Sequence, residues 1–167
     1  MTQPEGAPPL YFLLLEGWTR VAGTSVAAVR AFSAIWGIVG VGLAGLAAWR
    51  MVSPAAGLFA AALVALDPFH LAYSQEARPY AMVFALAAGT LWAAWEKRAW
   101  LYVVAASAGL WTHPWGVFVW ISTAPLLGRW PAVLPGLLAA PALWQFSRVQ
   151  ELGAFWAGRP GWQTLIG

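Results

Sequence analysis

Residues 31 to 49 contain no charged side chain, and this run constrains the fold more than any other feature of the chain. In a helix that rises ~1.5 Å per residue, such a run reaches across most of the ~30 Å hydrocarbon core of a bilayer. The whole chain is 61% hydrophobic and 9% charged, with a mean hydropathy of +0.67, far from the composition of a soluble domain. We therefore predict an all-α, polytopic transmembrane helical bundle.

Further apolar runs follow, and short polar segments separate them. The longest, from 99 to 127, is interrupted by Thr-His-Pro-Trp-Gly, which favours two short helices over one kinked helix. We predict a single membrane domain with about six spans, followed by a polar tail. The spans lie near 31–49, 54–68, 79–95, 99–112, 115–127 and 131–146, and the tail covers 147–167.

A short interfacial helix is predicted over residues 10–22, before the first span. Its leucines Leu10, Leu13 and Leu14 share one face, and Glu16 and Arg20 form an i,i+4 pair on another. The alternative is a fraying start of the first span. Counting the crossings places this helix on the same side of the membrane as the segment Ser-Gln-Glu-Ala-Arg-Pro-Tyr, residues 74–80, which we call the SQEARPY loop.

The basic residues indicate an orientation. Four of them lie on the face opposite the SQEARPY loop, in very short connections where the positive-inside rule is strongest: Arg50, Lys97, Arg98 and Arg129. That face is predicted to be cytoplasmic and the SQEARPY loop extracytoplasmic, in a bacterial inner membrane. The scattered bases exclude a nucleic-acid partner, and the absence of cysteine excludes disulfides and thiolate metal sites.

The SQEARPY loop is the predicted functional site, because ionisable groups at a membrane boundary are costly and usually functional. Arg78 offers a planar donor fork that matches a phosphate. Glu76 has three open roles, namely pairing with Arg78, binding a divalent metal ion, or acting as a base. Tyr73, Gln75 and Tyr80 would add neutral hydrogen bonds. The structural alternative is that Glu76 and Arg78 pair only with each other or with water.

Two histidines, His70 and His113, are further candidates for binding phosphate, carrying protons or ligating a metal. The alternative for each is a hydrogen bond to a free carbonyl at a helix end. Asp67 precedes Pro68 and is predicted to start a turn, after which His70 lies in the loop that leads to SQEARPY. No metal-ligand cluster is predicted, and the cofactor is left open, with a divalent metal ion as the candidate.

Three segments in order, PPLYFLLLEGW, PFHLAYSQEARPYA and WTHPWG, resemble the bacterial membrane glycosyltransferases of the GT-C class. These are similar to protein O-mannosyltransferases and to the aminoarabinose transferases of lipid A. The resemblance implies transfer of a sugar from a polyprenyl-phosphate donor at the extracytoplasmic face. It assigns Glu76 and Arg78 to the donor-phosphate or metal side of the site, with Tyr80 and His70 in support and His113 approaching from the next loop.

The chain also departs from this family's pattern. Members begin with a further span and an acidic residue that acts as the base, whereas Glu5 is the only acid in that part of this sequence, and their later spans and outer domain do not follow here. We expect a fragment or a partner-dependent transferase, which would bind a lipid-linked sugar phosphate, membrane lipids and a second protein. The alternatives are a non-catalytic structural subunit of a larger membrane complex, and a component that carries lipid phosphates.

Overall fold

A computed structural model of the protein describes residues 9–144, and these residues are all-helical, without any strand. The predicted tail and the end of the sixth predicted span lie outside the described residues. The helices are α1 (Leu10–Ala22), α2 (Val26–Met51), α3 (Pro54–Leu66), α4 (Pro68–Ser74), α5 (Tyr80–Trp95), α6 (Ala99–Thr112), α7 (Gly116–Thr123), a 3-10 turn (Ala124–Leu126) and α8 (Arg129–Leu138).

The lengths of these helices bear on how many of them cross a membrane. Within residues 9–144, α2 is the one helix of at least 18 residues that is apolar enough to span a bilayer. The pair α3 and α4 passes the same test together, although the two helices are bent by 64° at their junction. The helices α5, α6 and α7 are apolar but shorter. The helical fold is therefore confirmed, whereas the number of six spans stays a prediction.

Local sequence explains why α3 and α4 are separate helices. The Ser53 side chain accepts a hydrogen bond from the Ala56 amide at 3.2 Å and caps α3. The Asp67 carboxylate accepts one from the His70 amide at 2.8 Å, and Pro68 occupies the first turn of α4. The prediction that His70 lies in a loop is therefore wrong, because Asp67 and Pro68 start a new helix that contains it.

Helix α2 is the centre of the bundle, and its glycines allow close approach of its neighbours. A Cβ at Gly45 would lie 2.9 Å from the Ala61 Cβ of α3 and 3.1 Å from the Gly57 carbonyl oxygen. A Cβ at Gly40 would lie 2.7 Å from the Phe84 ring of α5. By contrast, Gly42 meets nothing within 4 Å. Small residues therefore allow close packing on two sides of α2.

Helix α1 packs against the first part of α2 and the start of α5. Tyr11 and Leu15 are buried together with Val29, Phe32 and Met82. The Tyr11 hydroxyl is hydrogen-bonded to the Ser33 hydroxyl at 2.8 Å. The Leu13 and Leu14 side chains are 58% and 41% exposed, so this part of the leucine face points away from the bundle. The i,i+4 pair of Tyr11 and Leu15 forms the packed face.

At the other end of the bundle, one ion pair and one hydrogen bond from a side chain to the backbone join the helix ends. The Arg50 guanidinium, at the end of α2, donates two hydrogen bonds of 2.9 Å each to the Glu96 carboxylate, which follows α5. Lys97 adopts a left-handed φ of 57° and donates to the Leu126 carbonyl oxygen. Three of the helix connections therefore meet at this end, opposite the SQEARPY loop.

Candidate functional site

An open groove with a volume of about 660 Å³ lies between the α3–α4 pair and α5. Its walls are mostly apolar along α3, where Leu63 and Leu66 line it, and become aromatic and polar along α4 and the start of α5. The residues that line this second part include Asp67, Phe69, His70, Tyr73, Tyr80 and Phe84. The groove thus combines a long apolar wall with a mouth of hydrogen-bonding side chains.

His70 fixes one wall of this groove to the centre of the bundle. Its Nε2 lies 3.1 Å from the Gly37 carbonyl oxygen of α2, and because a carbonyl oxygen only accepts, Nε2 carries the hydrogen. The imidazole ring also packs on the Phe84 ring, with the centroids 5.0 Å apart. Ser74, one turn along α4, donates to the His70 carbonyl oxygen at 2.7 Å. These contacts set the position of α4 against α2.

A row of aromatic rings extends from the mouth of the groove across three elements. Tyr73 of α4 and Tyr80 of α5 have their ring centroids 4.8 Å apart. Tyr80 in turn lies 5.7 Å from His113, and His113 lies 5.1 Å from Trp115. The structure therefore brings Tyr80 and His113 together, on the side of the bundle that carries the SQEARPY loop.

His113 follows α6 at the break between α6 and α7. Its Nδ1 accepts a hydrogen bond of 3.2 Å from the Trp115 amide, so that a neutral imidazole here has its hydrogen on Nε2. Burial lowers the pKa of His113, because the charged form is poorly solvated there. At neutral pH the side chain is an uncharged donor next to the Tyr80 ring.

Gln75, Glu76 and Arg78 lie outside the groove, on the exposed part of the SQEARPY loop. The Arg78 Nε is 3.6 Å from the Glu76 Oε2, and the two side chains are 64% and 47% exposed. An exposed pair at this distance contributes little to folding, typically ~0 to 1 kcal/mol. The loop nevertheless runs between Tyr73 and Tyr80, which both line the groove, so its charges stand beside the mouth.

The sequence-based prediction missed part of the groove. Asp67 was expected to start a turn, which it does by capping α4, but it also lines the groove. Phe84 was not a candidate. The spacing Asp67, His70, Tyr73 is the signal that was present in the sequence, because residues at i, i+3 and i+6 fall on one side of a helix.

The possible role of Glu76 in binding a metal ion can be tested against the metal-ligating side chains that the structure describes. Among residues 9–144, no three His, Asp or Glu side chains form a group that could hold a metal ion. A Ca²⁺ ion in proteins takes six to eight oxygen ligands, and the described residues by themselves do not fit such a site.

Comparison with known proteins decides the family. Residues 6–113 match the family model of the dolichyl-phosphate-mannose-protein mannosyltransferases, which is more than half of the chain. The chain belongs to this mannosyltransferase family. No curated protein and no solved structure matches the sequence. The resemblance to GT-C glycosyltransferases is thereby confirmed.

The mannosyltransferase match covers the parts of the molecule that build the site. It extends over α1 to α6 and ends at His113, so it includes the groove and the SQEARPY loop. The family is membrane-integral, and the apolar helices described above agree with that. Membership supports a membrane glycosyltransferase-like function for the chain.

Proposed function

We propose that this chain forms the donor side of a membrane glycosyltransferase that takes its sugar from a polyprenyl-phosphate carrier. The groove between the α3–α4 pair and α5 carries the proposal. Its apolar wall suits an isoprenoid chain, and its polar mouth adjoins the exposed loop that carries Glu76 and Arg78. Apolar walls with a few placed polar groups are typical of ligand sites.

Arg78 binds the phosphate of the donor in this proposal. Its guanidinium is exposed and held only by a 3.6 Å contact with Glu76, so it can turn towards a ligand at little cost. A guanidinium contacts two phosphate oxygens at once, which an ammonium does less well. When the bond between the sugar and the phosphate oxygen breaks, Arg78 stabilises the negative charge that develops on the leaving phosphate.

Glu76 is the proposed catalytic carboxylate. It takes the proton of the acceptor hydroxyl as the acceptor oxygen forms its bond to the anomeric carbon and the phosphate leaves with the bonding electron pair. The anomeric configuration is inverted in a single displacement of this kind. No step of the proposal passes through a metal ion, since no group of three metal-ligating side chains lies among the described residues.

The remaining predicted site residues bind the donor through hydrogen bonds. Tyr80 and His113 are adjacent and supply an O–H and an N–H donor at the mouth of the groove. Gln75 extends from the exposed loop. His70 acts mainly through its bond to the Gly37 carbonyl oxygen, which holds α4 in place.

The topology belongs to the same proposal. Six spans would place the SQEARPY loop at the extracytoplasmic face of a bacterial inner membrane, with Arg50, Lys97, Arg98 and Arg129 on the cytoplasmic side. The chain would work as a fragment of a longer enzyme or with a protein partner that supplies a second acid. The alternative function, a non-catalytic structural subunit of a larger membrane complex, predicts that no lipid phosphate binds at Arg78.

The test measures binding of a polyprenyl phosphate to the full chain in detergent micelles. We expect Arg78→Ala to weaken binding at least about tenfold, since a charge-assisted hydrogen bond contributes ~1.5 to 3 kcal/mol. The matched control is Arg20→Ala, because Arg20 is also exposed and also paired with a nearby glutamate, Glu16. Equal binding by the wild-type chain and Arg78→Ala would reject the donor site and favour the structural subunit.

A further inference from the structure

Two adjoining apolar grooves lie along α8, which begins near the end of the bundle opposite the SQEARPY loop. One has a volume of about 410 Å³ and follows the α8 face that includes Leu137; the other, of about 530 Å³, lies between α8 and the 3-10 turn after α7. Arg129 and Val133 line both of them, and we call the two together the α8 grooves. The Arg129 guanidinium therefore lies beside two apolar grooves that share part of their lining.

Arg129 has no carboxylate partner among residues 9–144. The four acids of this part of the chain are all engaged elsewhere. Glu16 contacts Arg20, Glu76 contacts Arg78, Glu96 contacts Arg50, and Asp67 caps α4. The Arg129 side chain is exposed, so its positive charge is available to a ligand.

A second positive charge lies near the same corner. The Lys97 ammonium donates to the Leu126 carbonyl oxygen, in the 3-10 turn that leads to Arg129. Next to Arg129, the Trp130 side chain is 62% exposed and lines the first groove. Tryptophan at the end of an apolar surface is typical of the headgroup level of a bilayer.

We propose that the α8 grooves bind an anionic glycerophospholipid. Its phosphate contacts the Arg129 guanidinium, with Lys97 adding to the local positive potential, and its acyl chains lie along Val133 and Leu137. A zwitterionic lipid brings its own cation into this corner, whereas an anionic lipid complements the unpaired arginine. The site uses no residue of the SQEARPY loop or of the donor groove, so it does not depend on the proposed transferase function.

The experiment compares two lipids with identical acyl chains, phosphatidylglycerol and phosphatidylcholine, added to the full chain in a neutral detergent. Native mass spectrometry counts bound lipids, and titration gives the apparent dissociation constant of each. The wild-type chain should bind phosphatidylglycerol more tightly. Arg129→Gln should weaken that binding about fivefold, as expected for one basic residue near a membrane surface, and leave phosphatidylcholine unchanged.

Arg30→Gln is the matched control, because Arg30 is an exposed arginine of α2 at the other end of the bundle. It should keep the wild-type preference. Val133→Asn should weaken binding of both lipids, because Val133 lines both grooves and contacts acyl chains rather than the headgroup. Circular dichroism establishes that each variant retains its helices, and Val133→Asn keeps the test open if Arg129→Gln does not fold.

Three results would overturn the proposal. The first is equal affinity of the wild-type chain for the two lipids. The second is a loss in Arg30→Gln as large as that in Arg129→Gln, which would indicate general electrostatic attraction. The third is equal competition by glycerol phosphate, which has no acyl chains and would show that a free phosphate suffices.

Discussion

The two ends of the bundle each carry an arginine–glutamate pair, and the pairs differ in sequence separation, in contact distance and in the elements that they connect. At one end, Arg50 and Glu96 are 46 positions apart in the chain, and they form two hydrogen bonds of 2.9 Å that join α2 to the end of α5. At the other end, Glu76 and Arg78 are neighbours in one exposed loop with a single contact of 3.6 Å. The first pair holds helices together, whereas the second leaves its guanidinium free for a ligand.

This difference teaches that the same two residue types can serve packing or binding, depending on what they connect. A pair that bridges two helices with a fork-to-fork geometry loses specific contacts when either partner is removed. A pair within a loop ties no elements together and is solvated on most sides. Function is therefore expected at the loosely paired end.

The largest effect should come from breaking the link between α2 and α4 near the loosely paired end. In Gly37→Val, the Cβ would lie 2.8 Å from the Ser74 Cβ and also clash with the Ser74 Oγ, so α4 and His70 must move. We expect a loss of ~1 to 3 kcal/mol in unfolding free energy, measured by denaturant unfolding in micelles. Binding of a polyprenyl phosphate should fall as well.

Gly42→Val is the control for this change, because Gly42 lies on the same helix and meets nothing within 4 Å. It should leave both stability and binding near the wild-type values. A Gly37→Val variant as stable as Gly42→Val would mean that α4 does not depend on close approach to α2.

Double-mutant cycles compare the two ion pairs directly. The cycle of Arg50→Ala and Glu96→Ala should show a clear coupling in the midpoint of thermal unfolding, because each residue is the other's bidentate partner. The cycle of Arg78→Ala and Glu76→Ala should show a coupling of about 0 to 1 kcal/mol, too small to shift the midpoint clearly. Coupling of equal size in the two cycles would contradict the assignment of the first pair to packing.

Acid should reduce the contributions of His113 and Glu96 to stability over different pH ranges. Burial lowers the pKa of His113, so as the pH falls the unfolded chain takes up a proton before the folded chain does. The contribution of His113 to stability is therefore full above the ordinary histidine pKa of ~6.5 and decreases as the pH falls below it. The hydrogen bond from Arg50 lowers the pKa of Glu96, so that contribution is present above the ordinary glutamate pKa of ~4.3 and decreases only at lower pH.

Thermal unfolding measured between neutral and acidic pH separates these two ranges. His113→Asn should flatten the pH dependence of the unfolding temperature near pH ~6 and leave the part below pH ~4.3 unchanged. Glu96→Gln should flatten only the part below pH ~4.3. A wild-type curve that is level between pH ~7 and ~5 would show that His113 is not buried as a neutral side chain.

Local signals allowed much of the secondary structure to be predicted. Ser53 with Pro54, Asp67 with Pro68, and His113 with Pro114 each mark a helix boundary, because caps and proline act within one turn. The helix assignment of residues 10–22 matches α1, which ends at Gly23 with a φ of 86°. The prediction that His70 lies in a loop is wrong although the signal is local, because Asp67 and Pro68 start a helix there and not a turn alone.

The structure brings some of the predicted site residues together and leaves others apart. Tyr80 and His113 were named from the sequence and lie next to each other, although they are 33 positions apart in the chain. Gln75, Glu76 and Arg78 were expected in the same place as His70, yet they lie outside the groove that His70 lines. Their roles remain predictions that the binding experiments address.

The sequence by itself determined the helices, their breaks and the mannosyltransferase family, because apolar runs, caps and ordered motifs are properties of neighbouring residues. Only the tertiary structure decided which acid pairs with which base, that His70 reaches the Gly37 carbonyl oxygen, and that α3, α4 and α5 enclose a groove. These features join residues distant in the chain, and the close approach of helices at Gly40 and Gly45 sets their distances.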